Sequence, residues 1–188
     1  MALPHWDNSI AATNYYEPIF QNQFEVIITP PSAITDNTDI LVEQVISIKG
    51  LPEFFSKAPV KQGFKFSDRH FAAATPDKTS ASLTVEFEVN LDSSNNMYVY
   101  NTLRGWSDLI YDPANGRQGL KKDYVGEMSV VIFNKAGDIF RQFNFSSVFL
   151  EKPFNPMDLG YRKDELYKLS ATFIADKTSE TRVGQIII

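Results

Sequence analysis

Two glutamates stand two residues apart in the stretch LTVEFEVNL, and paired carboxylates are the groups from which glycosidases are built. Glu86 and Glu88 fall on one side of an extended chain, about 7 Å apart by the rise of a strand, within the range that an acid and a base need around a glycosidic bond. A working general acid needs a buried carboxyl, however, and the neighbours on the same face are Thr84 and Asn90, an ordinary solvated pattern. The other residues that could do chemistry are scattered. His5 and His70 have neither a nucleophile nor an acid pattern to work with, and read as surface or interface histidines. Asp36 to Asp39 lacks the carboxylate spacing and closing glutamate of a calcium loop. There is no glycine-rich phosphate cradle after a strand, no G-x-S-x-G elbow and no histidine pair at helical spacing. No catalytic, cofactor-binding or metal-binding set is expected.

The elements around the glutamates are clearer than any chemistry. Leu83, Val85, Phe87, Val89 and Leu91 alternate with Thr84, Glu86, Glu88 and Asn90, which predicts a half-buried strand. Asp92, Ser93 and Ser94 then offer capping oxygens, and Val99, Leu103, Trp106 and Ile110 recur at spacings of four, three and four. This predicts one amphipathic helix over 94–111, with that stripe packed on a sheet.

The rest of the chain reads as more sheet. Phe24 to Thr29 is a first strand, ended by Pro30 and Pro31, and Val42 to Lys49 a second, closed by Gly50, Leu51 and Pro52. Tyr124 to Asn134 and Ile139 to Leu150 flank Lys135 to Asp138 and form a long antiparallel hairpin with apolar residues on both faces. Leu166 to Ala175 is the last strand. Two arms remain, 1–21 and 177–188, with a domain from 22 to 176 between them. The first arm carries Trp6, Tyr15 and Tyr16, which fold back or dock on a neighbour; the second ends on Ile186, Ile187 and Ile188, which a partner strand should cover. Between Glu53 and Thr79 lies a long loop in which Lys57, Lys61, Lys65 and Arg69 are mixed with Phe54, Phe55, Phe64, Phe66 and Phe71. Rings among cations can stack on bases and hold phosphates, but a hairpin or loop resting on another subunit is the favoured reading.

Composition limits the function. With 188 residues, 43% of them hydrophobic, the chain can bury one sizeable core. A net charge of −5 gives no general attraction to nucleic acid or anionic lipid. There is no cysteine for a disulfide or a thiolate metal site, and neither a leader-like segment nor a stretch of membrane-spanning length is seen. The expectation is a soluble protein made where it is used, or exported only within a larger body.

The order of elements itself resembles a family. FEVII, then VISIKGLP, the basic and aromatic loop, LTVEFEVN, the helix with LRGW, the MSVVIFN hairpin, the KPFNP turn and the closing LSATFIAD are similar to the tail tube proteins of contractile-tailed bacteriophages over roughly residues 20–176. Those proteins are related in fold to type VI secretion and other contractile injection tube proteins. The resemblance implies a mainly β fold, an antiparallel β-sandwich or partly closed barrel with one flanking helix and extended arms. It also implies homo-hexameric rings stacked into a tube that conducts DNA without tight binding, with sheath, baseplate and tail terminator proteins as partners. The location would be the virion, after synthesis in the host cytoplasm. Glu86 and Glu88 then become candidates for the lumen wall, the alternative being an outer or inter-ring face. The aromatic residues of the arms and the long loop become candidate inter-subunit contacts. A tube that carries protein cargo is the alternative function.

Overall fold

The computed structural model describes residues 20–34, 42–52, 60–71, 80–89, 98–134, 136–154, 160–161 and 166–181. Ten strands and two helices occur among them: β1 (Phe24–Thr29), β2 (Val45–Lys49), β3 (Val60–Gly63), β4 (Asp68–Phe71), β5 (Ala81–Glu88), α1 (Tyr98–Ile110), β6 (Tyr111–Asp112), β7 (Arg117–Gln118), α2 (Lys121–Tyr124), β8 (Gly126–Phe133), β9 (Ile139–Lys152) and β10 (Lys168–Thr181).

The alternation seen in the sequence becomes β5, with Ala81, Leu83, Val85 and Phe87 buried and Ser82, Thr84, Glu86 and Glu88 turned the other way. Its neighbours repeat the pattern, so that one face of the sheet β1-β8-β9-β10-β5-β2 is apolar across all six antiparallel strands. The expected hairpin is β8 and β9, and β10 returns beside β9 in one long ladder.

Four register shifts bend this sheet. Each leaves an extra residue that twists the strand carrying it. On β9 they fall between the partners of Ile132 and Phe133, of Gly126 and Glu127, and of Thr172 and Phe173; on β2 one falls between Val45 and Ser47. Ser147, in the second of these, takes a left-handed φ of 54°. The sheet curls into one nearly closed antiparallel barrel, so the mainly β expectation holds and the barrel alternative replaces the two-sheet sandwich.

Helix α1 plugs the concave side. Val99, Leu103 and Trp106 are buried on it, and Ile110 packs half-buried at its last turn. Trp106 meets Phe173 of β10 edge to face at a centroid distance of 5.7 Å, and its indole N–H donates to the Tyr124 carbonyl at 2.7 Å. Close approach is possible because residue 126 is glycine. A Cβ there would run into the Thr29 carbonyl oxygen and lie 3.1 Å from the indole ring. Gly50 does the same for the end of β2, with φ at 89° and no room for a Cβ beside the Ser82 carbonyl.

Several boundaries differ from the sequence expectation, three of them for a clear reason. The second strand starts at Val45, because Val42 and Glu43 are helical and Gln44 turns into the strand. Tyr124 closes α2 instead of opening β8. The last strand runs six residues beyond Ala175, to Thr181, because β9 is long enough to pair Gln142 to Ser146 with Lys177 to Thr181. That polar stretch, placed in the C-terminal arm by its composition, is strand by virtue of its partner.

Trp106→Ala removes the largest buried side chain of the core. It should cost about 3–5 kcal/mol, read as a lowered midpoint in a urea melt followed by circular dichroism.

Candidate assembly interface

Hairpin β3–β4 stands apart from the barrel. Its strands pair only with each other, Val60 with Phe71, Lys61 with His70, Gln62 with Arg69 and Gly63 with Asp68. Phe64 N–H donates to the Ser67 carbonyl at 2.8 Å and closes the turn. Alternation places Val60, Gln62, Arg69 and Phe71 on one face and Lys61, Asp68 and His70 on the other. Every residue from Val60 to Phe71 is exposed, Phe66 almost wholly so at 92%. Among the described residues the contacts within the hairpin are local: Lys61 bridges Asp68 at 2.6 Å, Arg69 sits 5.3 Å over the Phe64 ring, and Lys65 lies 5.6 Å from that of Phe66. A lone two-stranded ribbon is marginal in water, and the four exposed apolar side chains on this one, Val60, Phe64, Phe66 and Phe71, make it a candidate docking surface.

Phe64, Phe66 and Phe71 therefore share this hairpin, as does His70. Phe54, Phe55, Trp6, Tyr15, Tyr16, Ile186, Ile187 and Ile188 lie outside the described residues, as do His5 and the Asp36 to Asp39 stretch.

Glu86 and Glu88 sit on the convex face of β5, away from the core, but their surroundings differ. Register aligns Lys168 with Glu88, Ser170 with Glu86 and Thr172 with Thr84 on one side, and Ser47 with Glu86 on the other. The Ser47 hydroxyl donates to Glu86 at 2.8 Å and the Lys49 ammonium donates at 3.0 Å. Those bonds, the Ser47 one foremost, hold the Glu86 carboxyl below its usual range. A glycosidase acid needs the opposite shift. Glu88 is exposed. Sequence spacing did not reveal Ser47 or Lys49 as partners, since β2 and β5 are joined only by the fold. Among the described residues no group of three or more His, Cys, Asp or Glu could hold a metal ion.

A second polar set lies on the convex face of β8, β9 and β10. The Gln142 amide donates to Ser129 at 3.1 Å and to Asn144 at 2.9 Å, and the Asn144 amide donates to the Thr181 hydroxyl at 3.1 Å. On the opposite, concave face Arg141 bonds Glu180 at 2.7 Å. The alternating polar positions of the hairpin carried the signal for this set, but its apolar Val131 and Phe133 obscured it.

The barrel is not closed by hydrogen bonds. Among the described residues β1 pairs only with β8 and β2 only with β5, so within these strands both keep an open edge. A cleft of about 810 Å³ lies between them, with Phe24, Ile46, Ile48, Leu51, Val130 and Ile132 among its walls. Ile46 is the extra residue at the β2 register shift, and Phe140, at a β9 shift, also reaches the cleft. Bulges here re-aim side chains as well as bend strands.

No protein-family model matches the sequence, and no curated protein matches it. Solved structures do match in fold. A chain from the cryo-EM structure of the anti-feeding prophage cap, the AFP tube terminating cap, is 13% identical, with a TM-score of 0.58 over 89% of this chain and 93% of that one. A chain from the sheath–tube complex of the extracellular contractile injection system PVC, in its extended state, is 14% identical, with a TM-score of 0.52 over 97% and 100%. A chain from the sheath/tube terminator of the same system is 13% identical, with a TM-score of 0.54 over 89% and 99%. The fold of this chain is thus one found among tube, cap and terminator assemblies of contractile injection systems.

Two outcomes follow from this geometry. Glu86→Gln should lower stability by less than about 1 kcal/mol at pH 7, because the Lys49 partner is largely exposed and screened. A carboxyl with a depressed folded pKa contributes above its unfolded value, so the difference from wild type should shrink as pH falls below the ordinary 4.5 and vanish below the folded value. Urea melts at pH 7 and in this acid window check it. Phe64→Ser with Phe66→Ser should leave the melting temperature within about 2 °C of wild type while sharply reducing self-association on a sizing column, since neither ring is part of the core.

Proposed function

We propose that this protein is a ring-forming structural subunit of the tube of a contractile tail, assembling as stacked hexamers around a lumen. The observation that carries this reading is the nearly closed barrel with one plugging helix and a self-unsatisfied hairpin, in a fold shared with the tube, cap and terminator assemblies of contractile injection systems. In a ring, β1 and β2 edges meet strands of neighbours, and Phe64, Phe66 and Phe71 are covered by an adjoining subunit. The same accounts for the aromatic Trp6, Tyr15, Tyr16, Phe54 and Phe55 and for Ile186 to Ile188 as contact residues between subunits or with sheath, baseplate and terminator proteins.

In this reading the convex face of β10, β5 and β2 lines the lumen. Its charges balance locally, Glu86 and Glu88 against Lys49 and Lys168, and Ser47, Thr84, Ser170 and Thr172 supply hydroxyls between them. Such a wall neither grips phosphates nor repels them strongly, which suits a duplex that must slide through during ejection from a virion. A tube or terminator of an injection system with protein cargo is the second reading. It is favoured by the kind of assemblies in which the fold recurs, the anti-feeding prophage and PVC.

Negative-stain microscopy of the purified protein, concentrated above its association threshold, should show six-fold rings or stacks with a central hole; a persistent monomer would overturn the ring reading. In parent particles, Glu88→Lys should leave tails intact and slow DNA release several-fold, measured by dye uptake on triggered ejection. Unchanged release would remove β5 from the lumen wall, and particles without DNA would select the second reading.

A further inference from the structure

Helix α1 ends at Ile110 and runs directly into β6, which among the described residues pairs with β7 alone, Tyr111 with Gln118 and Asp112 with Arg117. The Gly119 N–H donates to the Ile110 carbonyl at 2.9 Å and ties this ribbon back to the helix. Its turn, Pro113 to Gly116, is exposed, and in it stands the one Asn-Gly step of the chain, Asn115 and Gly116. That step has a chemistry of its own. The backbone nitrogen of residue 116, once it gives up its proton, can bond to the side-chain carbonyl carbon of Asn115. The carbon–nitrogen bond of the side-chain amide then breaks, ammonia leaves, and water opens the resulting succinimide to aspartate or isoaspartate. Nothing is oxidised or reduced, and glycine leaves the attacking nitrogen uncrowded.

In the folded turn both partners of that reaction are tied to residue 112. Gly116, with φ at 65°, donates its N–H to the Asp112 carbonyl at 2.8 Å, so the proton of the nucleophile is engaged. The Asn115 side-chain N–H, on the group that would leave, donates to the Asp112 carboxylate at 2.5 Å. A third bond, from the Ala114 N–H at 2.9 Å, fixes that carboxylate in place. These donors, the Asn115 amide foremost, hold the Asp112 carboxyl below its usual range, so the clamp is an ionised acceptor at neutral pH.

We propose that Asn115 is a latent deamidation site, kept unreacted by Asp112 and converted when the β6–β7 turn opens. Opening is a local event. The ribbon has two cross-strand pairs and an exposed turn, so it can unfasten while the barrel stays folded. Conversion is one-way: a carboxylate at 115 has no proton to donate, and set against the ionised Asp112 it brings two acceptors of like charge together, so the turn does not close again. The product is a new negative charge on a ribbon that starts at Tyr111 and is followed by Leu120, both exposed. This chemistry belongs to a single chain and does not depend on ring assembly.

Incubation of the full chain in mildly alkaline buffer, then mass spectrometry of the tryptic fragment 105–117 with the isoaspartyl form separated, reads residue 115 directly. In the folded chain Asn115 should convert at least about tenfold more slowly than in a synthetic peptide of residues 108–120, since two hydrogen bonds must break before attack. Equal rates would overturn the clamp, and this comparison needs no variant to fold. Asp112→Ala should bring the rate in the chain most of the way to that of the peptide, with an unchanged urea midpoint showing the barrel intact; a rate equal to wild type would overturn the part given to Asp112. Asn115→Asp installs the product. It should speed hydrogen exchange at the Gly116 amide several-fold, and exchange at the wild-type rate would overturn the one-way step.

Discussion

The concave side of a curved six-stranded sheet is one continuous apolar surface, and the structure depends on filling it without leaving a polar backbone group stranded. Trp106 meets that constraint at one end. Its ring spans from Phe173 on β10 to Gly126 on β8, and its N–H satisfies the Tyr124 carbonyl at the close of α2. Glycine at 126 leaves room both for this ring and for the Thr29 carbonyl. An indole is large enough to reach both walls of the barrel and carries a donor that must be matched when buried.

Bending the sheet around that plug has a consequence at the seam. Bulges on β9 and β2 supply the curvature, yet the edges of β1 and β2 stop short of pairing. Only full closure removes strand edges from a barrel. Among the described residues two features are thus left unfinished, the seam and the projecting hairpin, and both present aliphatic or aromatic side chains.

Electrostatics on the convex face are a smaller effect. Glu86 is held by Ser47 and Lys49, so its charge is compensated on the face that it occupies. Overall acidity of −5 is thus a property of the molecule and not of this face, where carboxylates and ammonium groups alternate with hydroxyls. A near-neutral hydroxylated face differs physically from an acidic one: it carries exchangeable hydrogen-bonding groups and little long-range field.

Local pattern was enough for the elements whose two faces differ. The strand from Ala81, the first strand from Phe24 and the stripe of Val99, Leu103, Trp106 and Ile110 could be read from alternation or helical spacing, because each buries one side only. The resemblance in element order likewise anticipated a mainly β fold. What sequence did not carry was anything set by pairing between distant strands. Lys177 to Thr181 is polar throughout yet is strand, because β9 extends far enough to receive it. Ser47 and Lys49 meet Glu86 only through the β2 and β5 register, 37 to 39 residues apart. The bulges that turn Ile46 and Phe140 into the cleft have no composition of their own. Spacing along a chain reports which side of an element is dry; which partner lies across from it depends on contacts that form only when the sheet closes on its core.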